Sequence, residues 1–340
     1  MPAACQPHVA ARPVPPAASH NAGGHGPTLP PGQRCWYVVG MISTHPTRRT
    51  ALAAATLPFL AACGTPLPLT SAPAGAEAAV ARLQRSADVH GWAACGPSTD
   101  INIAYDGQWR PLINTIQPEV VDAGYRGPSQ ERLLLRAGMV GQAYTGPRGR
   151  KQVVWQRGDA GRGSQQRPGD VDLWYDGVPS RSEPLRSAAA VVAESYGLFL
   201  LGPLWLAGRG LPMQLDGTER VNGRLCDVVQ VWVTPGLGQS ARDRVAVCID
   251  RDDHITRRVR FTLEGFAGTQ GAVAEVDTFD HQRRFGVLWP MRSYEEVVHP
   301  LRLPAHDWRI TGLDVNRGYG PDALRGPTFS GTAAAPAAPL

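Results

Sequence analysis

The alternation of apolar and polar residues between positions 229 and 263 most limits what this chain can fold into. Val229, Val231, Val233, Val245, Val247, Ile249, Val259, Phe261 and Leu263 all occupy odd positions, whereas Gln230, Asp250, Arg258, Arg260 and Glu264 occupy even ones. Side chains alternate across a strand, so period two over successive strands predicts an antiparallel sheet with one buried and one wet face. Turn signals at Pro235-Gly236, Asp252-Asp253, Gly265 to Gly271, Arg283-Arg284 and Pro300 to Pro304 divide this region into a meander. Its strands are expected at 213–219, 225–233, 244–250, 255–264, 272–280, 285–298 and 306–316.

Further strands precede the meander. Residues 101–109 begin with alternation and meet an Asp106-Gly107 turn, 131–146 form one long alternating run, and 151–157 and 171–177 flank a polar loop. Residues 118–124 read as a helical turn. A helix is expected from Ala76, with Val80, Leu83 and Ala87 near one face and Gly91 at its end. A second, at 185–207, is apolar almost throughout and broken at Gly202-Pro203. Glu194, Ser195 and that break argue against a membrane span, and a helix apolar on most sides must be covered on most sides. The expected fold class is α+β, mainly antiparallel β: a curved half-open barrel sheet closed by two or three helices.

Composition sets bounds on function. The 340 residues are 43% hydrophobic and 19% charged, with a formal net charge of +5 from scattered arginines and no block of like charge. That balance is no sign of nucleic-acid binding and is compatible with an anionic membrane surface. No stretch reaches the ~18 uninterrupted apolar residues of a membrane-spanning helix.

A second feature lies near the start. Arg48 and Arg49 precede an apolar run, Ala51 to Ala62, that ends in Leu60-Ala61-Ala62-Cys63. A positive n-region, a short apolar core and a small-residue cleavage point are the parts of a secretory signal peptide. The competing reading is a short amphipathic or buried helix ending at a structural cysteine. Leu60-Ala61-Ala62-Cys63 followed by Gly64 resembles a bacterial lipobox, which implies lipidation of Cys63 and cleavage before it. Thr47 to Leu52 resembles the twin-arginine export motif, departing from it at Ala51, where that motif usually has Phe. Gly64 is not the Asp that keeps many lipoproteins on the inner membrane, so the resemblance implies a lipid anchor facing the periplasm, on the outer membrane of a Gram-negative cell. A start at Met41 gives this peptide a normal length. Residues 1–40 are therefore expected to be a disordered prefix that is not translated. Residues 41–62 are expected to be the signal peptide, 63–75 a tether, 76–317 a single β domain and 318–340 a disordered tail.

The order of elements over Ala76 to Asn316 resembles the lipoprotein-carrier superfamily: the bacterial outer-membrane lipoprotein carriers and receptors and the mycobacterial lipid-carrying lipoproteins. The resemblance rests on three stretches. They are Leu215-Asp216-Gly217 with Val221-Asn222-Gly223 and Cys226-Asp227-Val228-Val229; Val247 to Asp253 followed by Ile255 to Val259; and Phe279-Asp280 with Phe285-Gly286-Val287-Leu288-Trp289-Pro290. It implies an apolar cavity between the 185–207 helix and the odd face of the meander, holding a lipid or acylated peptide. The lining expected for it is Leu198, Phe199, Leu201, Val229, Val231, Val247, Phe261, Leu263, Phe279 and Trp289. The function expected is envelope lipid or lipoprotein transport, or a chaperone task. The alternative is an envelope-stress sensor or protein-interaction module of the same fold without lipid cargo. A gap fully plugged by side chains would favour that alternative.

Chemistry-bearing motifs are sparse. There is no HExxH, GxSxG, P-loop or Ser-x-x-Lys with its partners. Neither an enzyme nor a cofactor or metal is expected. Gly161-Arg162-Gly163-Ser164 has too few glycines for a phosphate cradle. Asp250, Asp252, Asp253 and His254 read as a hairpin turn rather than a divalent-metal site, as does Asp280-His281. His90, His299 and His306 are isolated. Cys226 and Cys248 sit at the outer ends of two neighbouring strands on the even face and could pair after export, with Cys95 as competitor for either. Trp155, Trp174, Trp205, Trp232, Trp289 and Trp308 either fill the core or line a lipid cavity.

Overall fold

A computed structural model describes residues 67, 76–159, 167–328 and 334–335. All of them belong to one unit, residues 61–340. The signal and lipidation residues Arg48, Arg49, Leu60, Ala61, Ala62 and Cys63, and the 161–164 stretch, lie outside the described residues.

Thirteen strands form a single antiparallel sheet in two meanders. The first comprises β1 (Ile101–Trp109), β2 (Ser129–Leu134), β3 (Met139–Gly146), β4 (Gly149–Gln156), β5 (Asp170–Tyr175) and β6 (Val178–Pro179). The second comprises β7 (Met213–Val221), β8 (Arg224–Val233), β9 (Asp243–Asp250), β10 (Thr256–Thr262), β11 (Val273–Arg284), β12 (Val287–His299) and β13 (Leu303–Val315). Their spatial order is β6-β5-β4-β3-β2-β1-β13-β12-β11-β10-β9-β8-β7, so the first strand joins the last and the sheet stays open at β6 and β7.

Among the described residues the α-helices are α1 (Glu77–His90), α2 (Trp92–Cys95), α3 (Pro111–Ile116), α4 (Pro118–Val121), α5 (Glu183–Leu201) and α6 (Pro203–Leu206). The greasy helix α5 packs on β3, β4 and β5 of one meander and on β10 and β12 of the other, so the sheet curves around it. Its residues 188–201 are all buried, as an all-round apolar helix requires. Gly202, at φ +52°, ends α5 and Pro203 begins α6, where a missing N–H costs nothing. Helix α1 stops at Gly91, whose φ of +99° supplies the left-handed C-cap. The inward positions of the second meander, odd on β8, β9, β10 and β12 but even on β11, join α5 and α6 in one core that includes Trp155, Trp205, Val247, Phe261, Val276 and Trp289.

Several expectations need correction. The run 131–146 is a hairpin, β2 to β3, because Gly138 at φ +62° turns the chain where alternation continues unbroken. Asp106-Gly107 is no turn; β1 runs through it. Gly107 is instead the point where β13 comes closest: a Cβ there would sit 2.6 Å from that of Trp308. Asp280-His281 lies inside β11, with Asp280 at φ +54°. The chain reverses one step later than expected, at Phe285-Gly286.

The even face is polar yet substantially buried, not wet. Gln230, Asp250, Arg260 and Glu275 are all buried there. Arg258 and Arg260 both reach Glu219 and Glu275, Arg258 also bonds Asp277, and Arg302 adds to Glu275. Mutual pairing is what lets such charges leave water. Beside this network, Leu67, Val221, Cys226, Val228, Ala246, Cys248, Val273 and Val298 form a small outer apolar cluster. Cys226 and Cys248 are free thiols, as is Cys95. The register sets Cys226 opposite Asp250 and Cys248 opposite Val228, two residues out of step for a cross-strand bridge. The Asp250 turn is held by its own partners: Asp250 accepts from Arg224 at 2.6 Å, from Arg257 at 3.1 Å and from the Asp252 N–H. Residues 318–328, read as tail, fold back, and Leu324 is fully buried against Leu134, Met139 and Val154.

Phe261→Ala is expected to lower the unfolding free energy by about 3–5 kcal/mol, because its whole side chain leaves a cavity in the core. Leu301→Ala, at an exposed site, is expected to change it by less than about 0.5 kcal/mol. Urea denaturation of the two variants checks this, and equal losses would refute the placement of the core.

Candidate functional site

The first and last strands meet along nine residue pairs from Ile101↔Val315 to Trp109↔His306, with one register shift at Ala104/Tyr105. That pairing builds an aromatic wall. Tyr105, Gly107 and Trp109 alternate onto one face of β1, and Trp308 and His306 stand opposite Gly107 and Trp109 on β13. The same rung continues from Tyr105 to Ser129 on β2 and Tyr144 on β3. Tyr196 of α5 closes the wall from the helix side. The cavity, open to solvent on one side, has a volume of about 340 Å³, within the range of about 300–1,000 Å³ usual for small-ligand sites. Its mouth is formed by Gln108, by Pro111 and Asn114 of α3, and by Ala123, all exposed.

The rings hold one another. His306 stacks on Trp109 at 4.4 Å and on Trp308 at 4.6 Å, and Tyr196 lies parallel to Trp308 at 5.5 Å. The Tyr196 hydroxyl is 3.3 Å from His306 Nδ1. Gly107 is required here, since any side chain would strike Trp308.

Arg126 lines the cavity from the segment after α4. Its Nε donates to the Val121 carbonyl at 2.8 Å and Nη2 to that of Val120 at 3.0 Å. The guanidinium lies 4.3 Å from the Tyr144 ring centre and 5.7 Å from that of Trp109. Nη1 is buried and meets no acceptor, and the hydroxyls of Tyr105 and Tyr144 are likewise buried and unbonded.

Burial dominates the electrostatics. It pushes Glu131 up to about 8, against the opposing Gln142 hydrogen bond and the Arg126 charge. It pushes Glu295 up to about 7, again against Arg126. Burial, followed by Arg126 and Arg110, pulls His306 well below its ordinary value, so the imidazole is neutral. Burial and Arg126 also lower Lys151 to about 8, while Asp122 opposes them. Asp122 accepts from Lys151 Nζ and from the Tyr175 hydroxyl, both at 2.7 Å. Such a site offers stacking faces, hydroxyls and one cation.

The residues expected to line a cavity lie elsewhere. Leu198, Phe199, Leu201, Val229, Val231, Val247, Phe261 and Trp289 are packed in the main core, with Leu263 against its edge. Phe279 is half-buried beside Arg292. None of the ten lines the cavity, because α5 fills the space against the second meander with its own side chains. Phe199 comes nearest, packing behind Trp308 at 4.2 Å. Of the tryptophans weighed, Trp308 lines the cavity, whereas Trp155, Trp205 and Trp289 belong to the core. His306, read as isolated, is part of the wall. Sequence reasoning missed Tyr105, Trp109, Arg126, Tyr144 and Tyr196. The one available signal was the two-residue spacing of rings on the first and last strands of the chain.

Glu131 ionises near 4.5 in an unfolded chain and near 8 in the fold. Between those values the native state holds an extra proton, so Glu131 makes stability fall as pH rises. Glu131→Gln is expected to stabilise the protein by roughly 1–3 kcal/mol above about pH 8 and by little below about pH 4.5. Urea melts at the two extremes check this, and a gain independent of pH would refute it.

No family model matches the chain, and no curated protein matches it. Among solved structures it is similar to a DUF1329 family protein from Desulfovibrio piger, at 11% identity and a TM-score of 0.43, over 74% of this chain and 100% of that one. It is also similar to a LolA superfamily protein from Nitrosomonas europaea, at 11% identity and a TM-score of 0.43, over 73% of this chain and 97% of that one. The lipoprotein LppX from Mycobacterium tuberculosis is 16% identical with a TM-score of 0.23, over 55% of this chain and 89% of that one. Overlaps this loose carry no argument about the site, and the fold rests on the strand order and pairing described above.

Proposed function

We propose that this protein is an exported lipoprotein, anchored through Cys63 to a membrane of the cell envelope and facing the periplasm. In this reading its domain binds a lipid or acylated peptide and serves envelope lipid or lipoprotein transport, or a related chaperone task. The observation that carries the binding reading is the aromatic-walled cavity of about 340 Å³ at the β1–β13 seam. Transfer of an alkyl chain from water to such a wall yields about 0.8 kcal/mol per methylene. Tyr196, Trp308 and Trp109 receive the tail, and its entrance is the rim at α3, where Leu112 and Ile116 are exposed. The filled gap at the second meander favours the alternative, a sensor or protein-interaction module without lipid cargo, and the cavity at the β1–β13 seam is what supports the lipid-binding reading.

Two experiments test this. Protein purified from its native envelope is expected to yield an amphiphile on extraction and mass spectrometry. The delipidated form is expected to rebind an alkyl amphiphile with a change in tryptophan fluorescence. Ala123→Trp, at the exposed mouth, is expected to weaken rebinding by at least about tenfold without lowering Tm; undiminished binding would move the site elsewhere. For the anchor, Cys63→Ser is expected to shift the protein from the membrane to the soluble envelope fraction, and continued membrane association would refute lipidation at Cys63.

A further inference from the structure

Arg126 is half-buried, with its Nη1 fully enclosed, and it forms no ion pair among the described residues. Among the described residues no carboxylate lies within 4.0 Å of its guanidinium, although other enclosed guanidiniums have one: Arg257 meets Asp250, Arg258 meets Asp277 and Arg260 meets Glu275. Two of its nitrogens are occupied by the carbonyls of Val120 and Val121, which fix the group in place. The third, Nη1, is enclosed and meets no carbonyl or carboxylate; its one polar neighbour is the Tyr144 hydroxyl, which is itself otherwise unbonded and leaves the cation without an anionic partner. A desolvated charge with an open donor costs several kcal/mol unless something supplies the missing partner.

The protein's own acids do not supply it. Asp122 is taken by Lys151 and Tyr175. Glu131 and Glu295 feel the Arg126 charge, but burial raises them to about 8 and about 7, and neither comes within ion-pair distance of the guanidinium. His306, stacked between two indoles, is neutral and contributes no competing charge. The result is a positive point in the wall of an aromatic cavity whose mouth opens to solvent. Lysine or arginine with an open donor is how proteins take carboxylate and phosphate oxygens.

Building on the amphiphile-binding reading, we infer that the cavity selects an amphiphile with a single anionic head, a carboxylate or a phosphate. One head oxygen accepts from Arg126 Nη1, and the tail lies along Trp109, Tyr196 and Trp308. The Tyr105 and Tyr144 hydroxyls are free to donate to the remaining oxygens. The neutral analogue with the same tail keeps the apolar burial and loses the charge-assisted bond.

The test uses the delipidated full domain and four probes: dodecanoate, dodecyl phosphate, 1-dodecanol and inorganic phosphate, followed by tryptophan fluorescence and calorimetry. The two anionic amphiphiles are expected to bind at least about tenfold tighter than the alcohol, and inorganic phosphate far more weakly than dodecyl phosphate. Arg126→Gln is expected to reduce the anions to the level of the alcohol while leaving the alcohol unchanged, and Arg126→Lys to retain part of the preference. Equal binding of acid, phosphate and alcohol by the unmodified protein overturns the head-group inference and leaves the cavity reading standing. Inorganic phosphate binding as tightly as dodecyl phosphate overturns the amphiphile as the source of the anion. Binding of no probe overturns the cavity reading itself. Should Arg126→Gln not fold, the comparison among probes on the unmodified protein still decides.

Discussion

The pairing of β1 with β13 is the joint on which everything else in this domain depends. Each meander has a curved apolar face but too little helix to cover it alone. Joining the first strand to the last makes one continuous sheet, and α5 can then lie across both halves and bury its apolar surface on every side. The seam is also where the aromatic wall forms, because pairing Gly107 with Trp308 and Trp109 with His306 places rings from opposite ends of the chain on one surface. Stability and binding surface thus come from the same contact. Such a joint has a high sequence separation, so its closure entropy is offset only when the core behind it has assembled.

The two faces of the sheet treat charge in opposite ways. On the outer face, arginines and carboxylates from β7, β10 and β11 interlock, and each buried charge meets an opposite one. On the inner face burial raises the carboxyls of Glu131 and Glu295, and no carboxylate touches Arg126 among the described residues. The first arrangement is a closed structural network. The second leaves an unmet donor in a cavity, which is the pattern that sites for charged ligands share.

Much of the fold is legible in the sequence because its signals are local. The period of two from Val229 to Leu263 gives the second meander and its inward face, and Gly202-Pro203 gives the break between α5 and α6. The hairpin at 135–138 escapes such reading because alternation continues through Gly138, whose turn shows only in its φ of +62°. Asp106-Gly107 misleads because a turn and a point of close strand approach both call for a residue without a side chain. The even positions look wet since polarity was taken as exposure, whereas Arg258, Arg260 and Glu275 are polar and mutually neutralised. The cavity was assigned to the wrong half for a related reason. Apolar residues on α5 mark a place to be filled, and in this chain they fill it themselves. The actual wall depends on a pairing across some two hundred residues, and Arg126 sits in a stretch without any motif.

The sheet never closes, which leaves β6 and β7 each with a bare margin. At one end β6 is only two residues long and includes Pro179, which has no N–H to offer. At the other, the Ala76 N–H bonds the Met213 carbonyl, and the ladder is interrupted between Leu215 and Thr218 around Gly217. Asp216, Glu219 and Arg220 then carry charge along the rest of β7. A second molecule approaching in register would find no uninterrupted row of donors and acceptors to extend. A gutter-shaped sheet can therefore keep its trough accessible while remaining a poor template for fibres of its own kind.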